Sequence, residues 1–259
     1  MNVVVCVKQV PDTWSERKLD PDDKTLDRAS ADGVINELDE YAIEEALQLG
    51  EAHGGEVTVL SMGPDKAGES IRKALSMGAD KAVHVVDDAL HGADAAQTAA
   101  ALAAALRQLE FDVVVLGSES TDARMSVVPA MLAEMLGVAQ LTYASKVEID
   151  GSAVRIQRQA EYGYDEVEGS LPAVVSVVEK INEPRYPSFK GIMAAKKKEV
   201  ASLGTSELGL DPAQAGLAAA ATEVVEFAAA PPREKGTIVT DDGDGGVQLA
   251  DYLAAQKIL

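Results

Sequence analysis

Cysteine is almost missing from this sequence. Cys6 stands alone in 259 residues, so no intrachain disulfide can form and a cysteine-rich metal centre is excluded. Its place inside the apolar run Val3 to Val7 reads as a buried structural thiol, because reactive thiols need an electropositive, accessible setting. Aromatic residues make up only 4% of the chain, so the core has to be built from Ala, Val, Leu and Ile, and an aromatic in a loop carries more information than usual. Positive charge is scarce as well. Against 43 acidic residues stand 23 Lys and Arg, giving a formal net charge of −20 and a pI near 4.5. That balance excludes nucleic acid as a partner, since binding a phosphate backbone needs clustered cations. No apolar stretch in the sequence approaches the roughly 18 residues of a membrane helix, and the N-terminus has no signal-peptide h-region. The expectation is a cytoplasmic protein with no direct membrane insertion.

Catalytic motifs are missing too. Val7-Lys8-Gln9-Val10-Pro11 follows the first strand where a dinucleotide-binding G-x-G-x-x-G would stand, and there is no P-loop. No G-x-S-x-G element offers a serine nucleophile. His53, His84 and His91 show no metal-ligand spacing. The abundance of carboxylates makes any chosen pair uninformative. No catalytic residue and no metal site are expected, and the chain reads as a binding and docking protein rather than an enzyme.

What is present is an alternation of apolar strands and helical stretches. Asn2 to Val7, Val57 to Met62, Ala82 to Val86 and Val113 to Leu116 read as strands. Helices are expected at Glu37 to Glu51, Asp65 to Met77, Asp94 to about Leu109 and Met125 to Leu136. Continuous apolar strands between helices mean a parallel sheet covered on both faces, so the fold class is α/β, doubly wound. After Gln140 four strand-like runs, Leu141 to Ile149, Ala153 to Gln159, Tyr164 to Glu168 and Ala173 to Val178, follow without helices. They predict an extension of the sheet by antiparallel hairpins, with Asp150-Gly151 as one turn. Thr13 to Gly33 is a long polar connection, of a length that usually serves function or a partner surface. Residues 1–200 are expected as one α/β domain whose strand ends can hold a nucleotide. Residues 201–259 are expected as an extended C-terminal arm that lies on the main domain or on another chain, with a last helix near Gly246 to Lys257.

In such a sheet ligands bind at the carboxyl ends of the strands. The fourth strand ends in Gly117-Ser118-Glu119-Ser120-Thr121-Asp122, then Ala123-Arg124-Met125-Ser126 before a helix. A glycine and several hydroxyls ahead of a helix N-terminus can meet a phosphate through backbone N–H groups. The same residue types also cap helices and bind nothing. A second segment, Asn182 to Val200, is broken by Pro184, Pro187 and Gly191. It holds Tyr186 and Phe189 beside Arg185 and Lys190, and ends in Lys196 to Lys198. Aromatics and cations on an acidic protein suggest a docking arm.

Several motifs in order carry a resemblance. Leu171-Pro172-Ala173-Val174-Val175, Asn182-Glu183-Pro184-Arg185-Tyr186 and Ile192-Met193-Ala194-Ala195-Lys196-Lys197-Lys198 together resemble the signature region of the electron transfer flavoprotein β subunit. Val7 to Asp12 and Ala74 to Ala82 are similar to other parts of that family. The resemblance implies a heterodimer with an electron transfer flavoprotein α subunit, which holds most of one redox-active FAD. It also implies electron transport from flavin-dependent dehydrogenases, such as the acyl-CoA dehydrogenases of fatty acid oxidation, to an oxidoreductase feeding the respiratory chain.

In non-bifurcating members the β subunit buries a structural AMP. By position, the resemblance assigns that pocket to Cys6, Asn36, Glu37, Leu38, Asp39, Met62, Gly117, Ser118, Glu119, Ser120, Thr121, Asp122, Ala123, Arg124, Met125, Ser126, Val127 and Val128. It makes the arm a recognition loop, with Phe189 as the anchor and Arg185, Tyr186, Ile192 and Met193 around it. Two departures stand out. Arg158 is followed by Gln159 where the family commonly has Glu, a residue linked to gating of flavin-domain motion, and Glu161 is a substitute. Arg124 and Ser126 stand where members with Asp-rich loops have Asp and Asn. Other readings remain: a β subunit holding a second FAD as in bifurcating relatives, a stand-alone adenine-nucleotide-binding stress-type protein, and an enzyme with a nucleotide substrate.

Overall fold

The computed structural model describes residues 1–233, 236 and 238–258. The β-branched runs form strands because their side chains are stiff and fill both faces of a covered sheet. In chain order these are β1 (Val3–Cys6), a short ribbon of β2 (Gln9–Pro11) and β3 (Gly33–Ile35), α1 (Glu37–His53), β4 (Val57–Met62), α2 (Gly68–Met77), β5 (Lys81–Val85), α3 (Ala95–Leu106) and β6 (Val113–Gly117). There follow α4 (Val128–Leu136), β7 (Ala139–Asp150), β8 (Ala153–Ala160), β9 (Gly163–Ser170), β10 (Ala173–Val177), α5 (Phe189–Ala195), β11 (Val200–Leu203) and α6 (Gly245–Ala255).

Nine strands make one sheet in the order β11-β5-β4-β1-β6-β10-β7-β8-β9. The pairs from β11 to β7 are parallel, while β7–β8 and β8–β9 are antiparallel. The doubly wound sheet with an antiparallel extension is therefore present. One face carries α1 and α2 over Val3, Val5, Val57, Val59, Ile43 and Ile71. The other carries α3 and α4 over Val4, Leu60, Val114, Leu102 and Leu132. Alternate residues of one strand thus serve two cores, and each fully buried Leu or Ile contributes about 1.5–3 kcal/mol.

Three local outcomes differ from the sequence reading. β10 is not a hairpin strand: it lies parallel between β6 and β7, in the middle of the sheet. An apolar five-residue run fits a buried parallel position and a hairpin position equally well, so periodicity could not separate them. The fourth helix starts at Val128 rather than Met125, because Arg124 (φ 49°) and Ser126 (φ 56°) take left-handed backbone that cannot continue a right-handed helix. Val200–Leu203 adds an edge strand against β5.

The chain divides into two compact units, Met1–Val224 and Val225–Leu259. Within the first, residues beyond β11 are tied to the α3 side: Asp87 accepts from the Thr205 N–H and hydroxyl, and Asp94, which caps α3 through the Gln97 N–H, also accepts from Ala221 and Thr222. In the second, Asp241 accepts from the Gly243 and Gly245 N–H groups ahead of α6, an 11-residue helix with no buried residue. No helix among the described residues is long and apolar enough to cross a membrane.

Candidate functional site

After β1 the chain builds β4 and β5 on one side, then returns to place β6 on the other. The carboxyl ends of β1 and β6 therefore flank the topological switch point. The N-terminus of α1 closes in on the end of β6. A Cβ at Gly117 would stand 2.6 Å from Asp39 Oδ1 and 2.8 Å from Leu38 Cβ, so only glycine lets the two elements approach this closely.

Asn36 joins this crossing to the loop that follows. Its amide donates to Asp39 Oδ1 (2.9 Å) and to the Glu119 carbonyl (2.9 Å), and its Oδ1 accepts from the Thr121 N–H (3.0 Å). Asn36 is 1% exposed, so all three bonds are shielded from water and worth more than surface bonds. Asp39 accepts from the Lys8 N–H at 2.7 Å and from the Gly117 N–H as well. Burial pushes its carboxyl up to about 7, against the opposing pull of these donors. Cys6 is buried at the end of β1, and burial together with the Asp39 charge raises its thiol far above the ordinary range. It is an inert wall, as its apolar neighbours suggested.

Two cations converge on one carboxylate of the loop from Ser118 to Val127. The Asp122 side chain is 2% exposed and takes Lys8 Nζ at 2.8 Å and Arg28 Nη2 at 3.2 Å. Lys8 Nζ also reaches Ser120 Oγ at 3.2 Å. Burial works to raise Asp122, but the two cations and its hydrogen bonds outweigh it and hold the carboxyl below its usual range. Burial lowers the Lys8 ammonium from its usual value despite Asp122. Ser126 Oγ donates to Glu119 Oε2 at 3.0 Å, and the Arg124 N–H donates to the Ser120 carbonyl. Among the described residues Thr121 Oγ1 is buried with no hydrogen-bond partner. The N-terminus of α4, at Val127, has no side-chain cap.

These features fit a small phosphate-bearing ligand: two cations share one carboxylate, a helix start is open, and a buried hydroxyl lacks the partner it should have. Of the residues expected here, Asn36, Asp39, Gly117 and the segment Ser118 to Asp122 are brought together by bonds or direct approach. Glu37 and Leu38 lie in the first turn of α1, and Met62 is half-buried at the end of β4, against the same core as Cys6. Ala123, Arg124 and Met125 face solvent. Sequence reasoning missed Lys8 and Arg28. Lys8 had a signal, since it directly follows a central strand; Arg28 had none, because it reaches the loop from the long connection. Among the described residues no group of three or more His, Cys, Asp and Glu side chains could hold a metal ion.

The arm lies against α1 and α2 and turns two of its cations, Arg185 and Lys198, inward, while Lys190, Lys196 and Lys197 are exposed. Arg185 Nε and Nη2 bond to the two Glu44 oxygens at 2.7 and 2.9 Å, and Nη1 bonds to Glu51 at 2.6 Å. The Arg185 N–H donates to Glu44 too, at 3.1 Å. Lys198 Nζ donates to the carbonyls of Leu75, Gly78 and Ala79 at the end of α2, while Arg72 donates to those of Ala195 and Lys198 at the end of α5. Between these ties Tyr186 is 95% exposed and Phe189 82%, with Ile192 and Met193 about half exposed. Elsewhere, Arg158 Nε donates to the Thr142 carbonyl at 3.1 Å beside Tyr143, whose φ of 61° falls where β7 shifts register against β10, while Gln159 and Glu161 are exposed.

The electron transfer flavoprotein domain model matches residues 23–208. Over its full length the chain is 53% identical to the electron transfer flavoprotein subunit beta of Mycobacterium tuberculosis strain H37Rv, covering 99% of that protein. It is 41% identical to the subunit of the same name from Thermoanaerobacterium thermosaccharolyticum, with both chains fully covered. It is also similar to the caffeyl-CoA reductase-Etf complex subunit CarD of Acetobacterium woodii, at 36% identity over 93% of this chain and 92% of that one.

Proposed function

The chain belongs to the electron transfer flavoprotein family as a β subunit, and from that premise we propose that it holds AMP, completes an FAD site mainly formed by the α subunit, and docks flavin-dependent dehydrogenases. In this reading it is a cytoplasmic carrier subunit of the non-bifurcating type, with no turnover of its own, working in fatty acid oxidation. The observation that carries the nucleotide half is the cluster at the switch point, where Lys8 and Arg28 face the single carboxylate of Asp122 beside the unpartnered Thr121 hydroxyl.

Lys8, Arg28 and the N–H groups at the start of α4 would balance the phosphate, and Thr121 would gain a partner. Asn36 and Asp39 do not reach outward. They fix α1 against the loop, so their part is to hold the walls of the pocket in place. AMP supplies no chemistry, only bulk and bonds where the fold leaves a polar gap. FAD supplies the redox chemistry of the heterodimer; residues 201–224 lie on this chain's own sheet and α3 side, so the part left to pack on the α subunit is 225–259.

Co-expression with the α subunit tests this assignment. A yellow 1:1 complex that a flavin dehydrogenase reduces supports it. A colourless, monodisperse β chain that never joins α would favour a stand-alone nucleotide-binding module. The similarity to a caffeyl-CoA reductase-Etf subunit keeps one competing outcome concrete: a second FAD in place of AMP, as in a bifurcating complex.

A further inference from the structure

The recognition arm has a feature that its composition conceals: its one arginine is bonded to its own subunit, with its side chain 35% exposed. Arg185 lies three residues after Asn182, whose amide donates to the Tyr41 carbonyl at 3.1 Å and to Glu45 at 3.2 Å. Its guanidinium then bridges Glu44 and Glu51, two residues seven apart on the same side of α1, using Nε and both terminal nitrogens. Glu44 is almost fully covered, with its side chain 6% exposed, and Gln48 Nε2 donates to it as well at 2.9 Å. Burial works to raise the Glu44 carboxyl, and the bonds from Arg185 and Gln48 reverse this and hold it below its usual value. The planar fork of an arginine suits this double bridge, and a lysine ammonium cannot reproduce it.

The far end of the arm is fixed by different means. A Cβ on Gly191 would stand 2.3 Å from the Ser76 carbonyl oxygen, so the start of α5 rests directly on the end of α2. Tyr186, Phe189, Ile192 and Met193 therefore occupy a span pinned at both ends, with their side chains outward.

We propose that Arg185, through its clamp on Glu44 and Glu51, is a positioning residue that presets the arm in its docking shape and makes no contact with the dehydrogenase itself. The use of that shape rests on the docking reading above. A preset arm loses little conformational freedom on binding, so the clamp acts on affinity rather than on electron transfer within the complex. An apolar side chain such as Phe189 then meets the partner already placed.

The test uses the intact heterodimer carrying Arg185→Ala, Arg185→Lys, Glu51→Gln or Phe189→Ala. Amide exchange over residues 182–195 is read alongside KM and kcat for a flavin dehydrogenase that reduces the wild-type protein. Arg185→Ala should speed exchange across the arm by about tenfold and raise KM by about tenfold, with kcat within about twofold. Arg185→Lys should fall between wild type and Arg185→Ala, and Glu51→Gln should give a smaller effect of the same kind. Phe189→Ala should raise KM with exchange unchanged. Unchanged exchange and KM in Arg185→Lys and Glu51→Gln, the milder variants that keep Glu44 from being stranded, would overturn the clamp. So would a fall in kcat at constant KM, which would put Arg185 in the transfer step. An unchanged KM in Phe189→Ala would instead overturn the docking reading, and with it the use of the clamp, even where exchange responds as expected.

Discussion

The side-chain cluster at the switch point and the arm on α1 and α2 handle charge in opposite ways. In the cluster two cations share one buried carboxylate, a hydroxyl is left without a partner, and a helix start is uncapped. In the arm Arg185 is matched by two glutamates and Lys198 by three carbonyls, while aromatic and aliphatic side chains face outward. The switch-point cluster thus turns two cations onto one buried carboxylate, while the arm turns Arg185 and Lys198 inward and presents Tyr186 and Phe189 beside the exposed Lys190, Lys196 and Lys197. Which charges are offered depends on what each is already bonded to, and not on how many there are.

The sharpest way to break the pocket is Asn36→Leu. It removes three shielded bonds at once and strands the Thr121 N–H and the Glu119 carbonyl, which should cost about 3 kcal/mol in denaturant unfolding and lower nucleotide content. A cost under about 0.5 kcal/mol, the range of ordinary surface changes, would mean that the lattice is incidental. Acidity probes the same network without mutation. The folded-state value of Asp39 is raised to about 7 from 3.8, so the folded protein holds a proton that the unfolded chain has lost. Stability should then fall as pH rises through that interval, by on the order of 2–3 kcal/mol between pH 5 and 8. Asp122 and Glu44, held low, are ionised in both states across that window and add no slope. Thermal unfolding of wild type and Asp39→Asn against pH checks this: the variant should be flatter.

On the arm, Phe189→Ala should leave unfolding stability within about 0.5 kcal/mol, as expected for a side chain in solvent, and weaken docking by about 2 kcal/mol. Stability that falls with docking would show that the ring packs on its own subunit. The smallest effect belongs to Lys196→Ala with Lys197→Ala, both exposed: a change within about 0.5 kcal/mol. Lys198→Ala should exceed it, because the ammonium closes the carbonyl end of α2. Equal effects at all three lysines would erase that distinction.

Much of the fold was legible because Val-rich strands buried on both faces leave unbroken apolar runs, and Gly54, Gly63 and Gly78 punctuate them. The α1 start at Glu37 and the strand Val57–Met62 fall where the pattern put them. The position of β10 was not legible, since sheet order is decided by partners far away in sequence. For the pocket, the strand-end rule led to Gly117 and its loop, while Asn36 and the turn before α1 came through family resemblance. Arg28 and the Arg185 clamp were hidden because both depend on which distant side chains the fold brings within 3.5 Å. The difference among the three lysines was hidden for the same reason: three adjacent letters said nothing of the carbonyls that take up Lys198.

The most direct test is chemical. Acid extraction of the purified heterodimer, followed by chromatography, should release AMP and FAD in equal amounts, one of each per complex. Two FAD with no AMP, or FAD alone, would contradict the assignment of the switch-point pocket to a structural AMP.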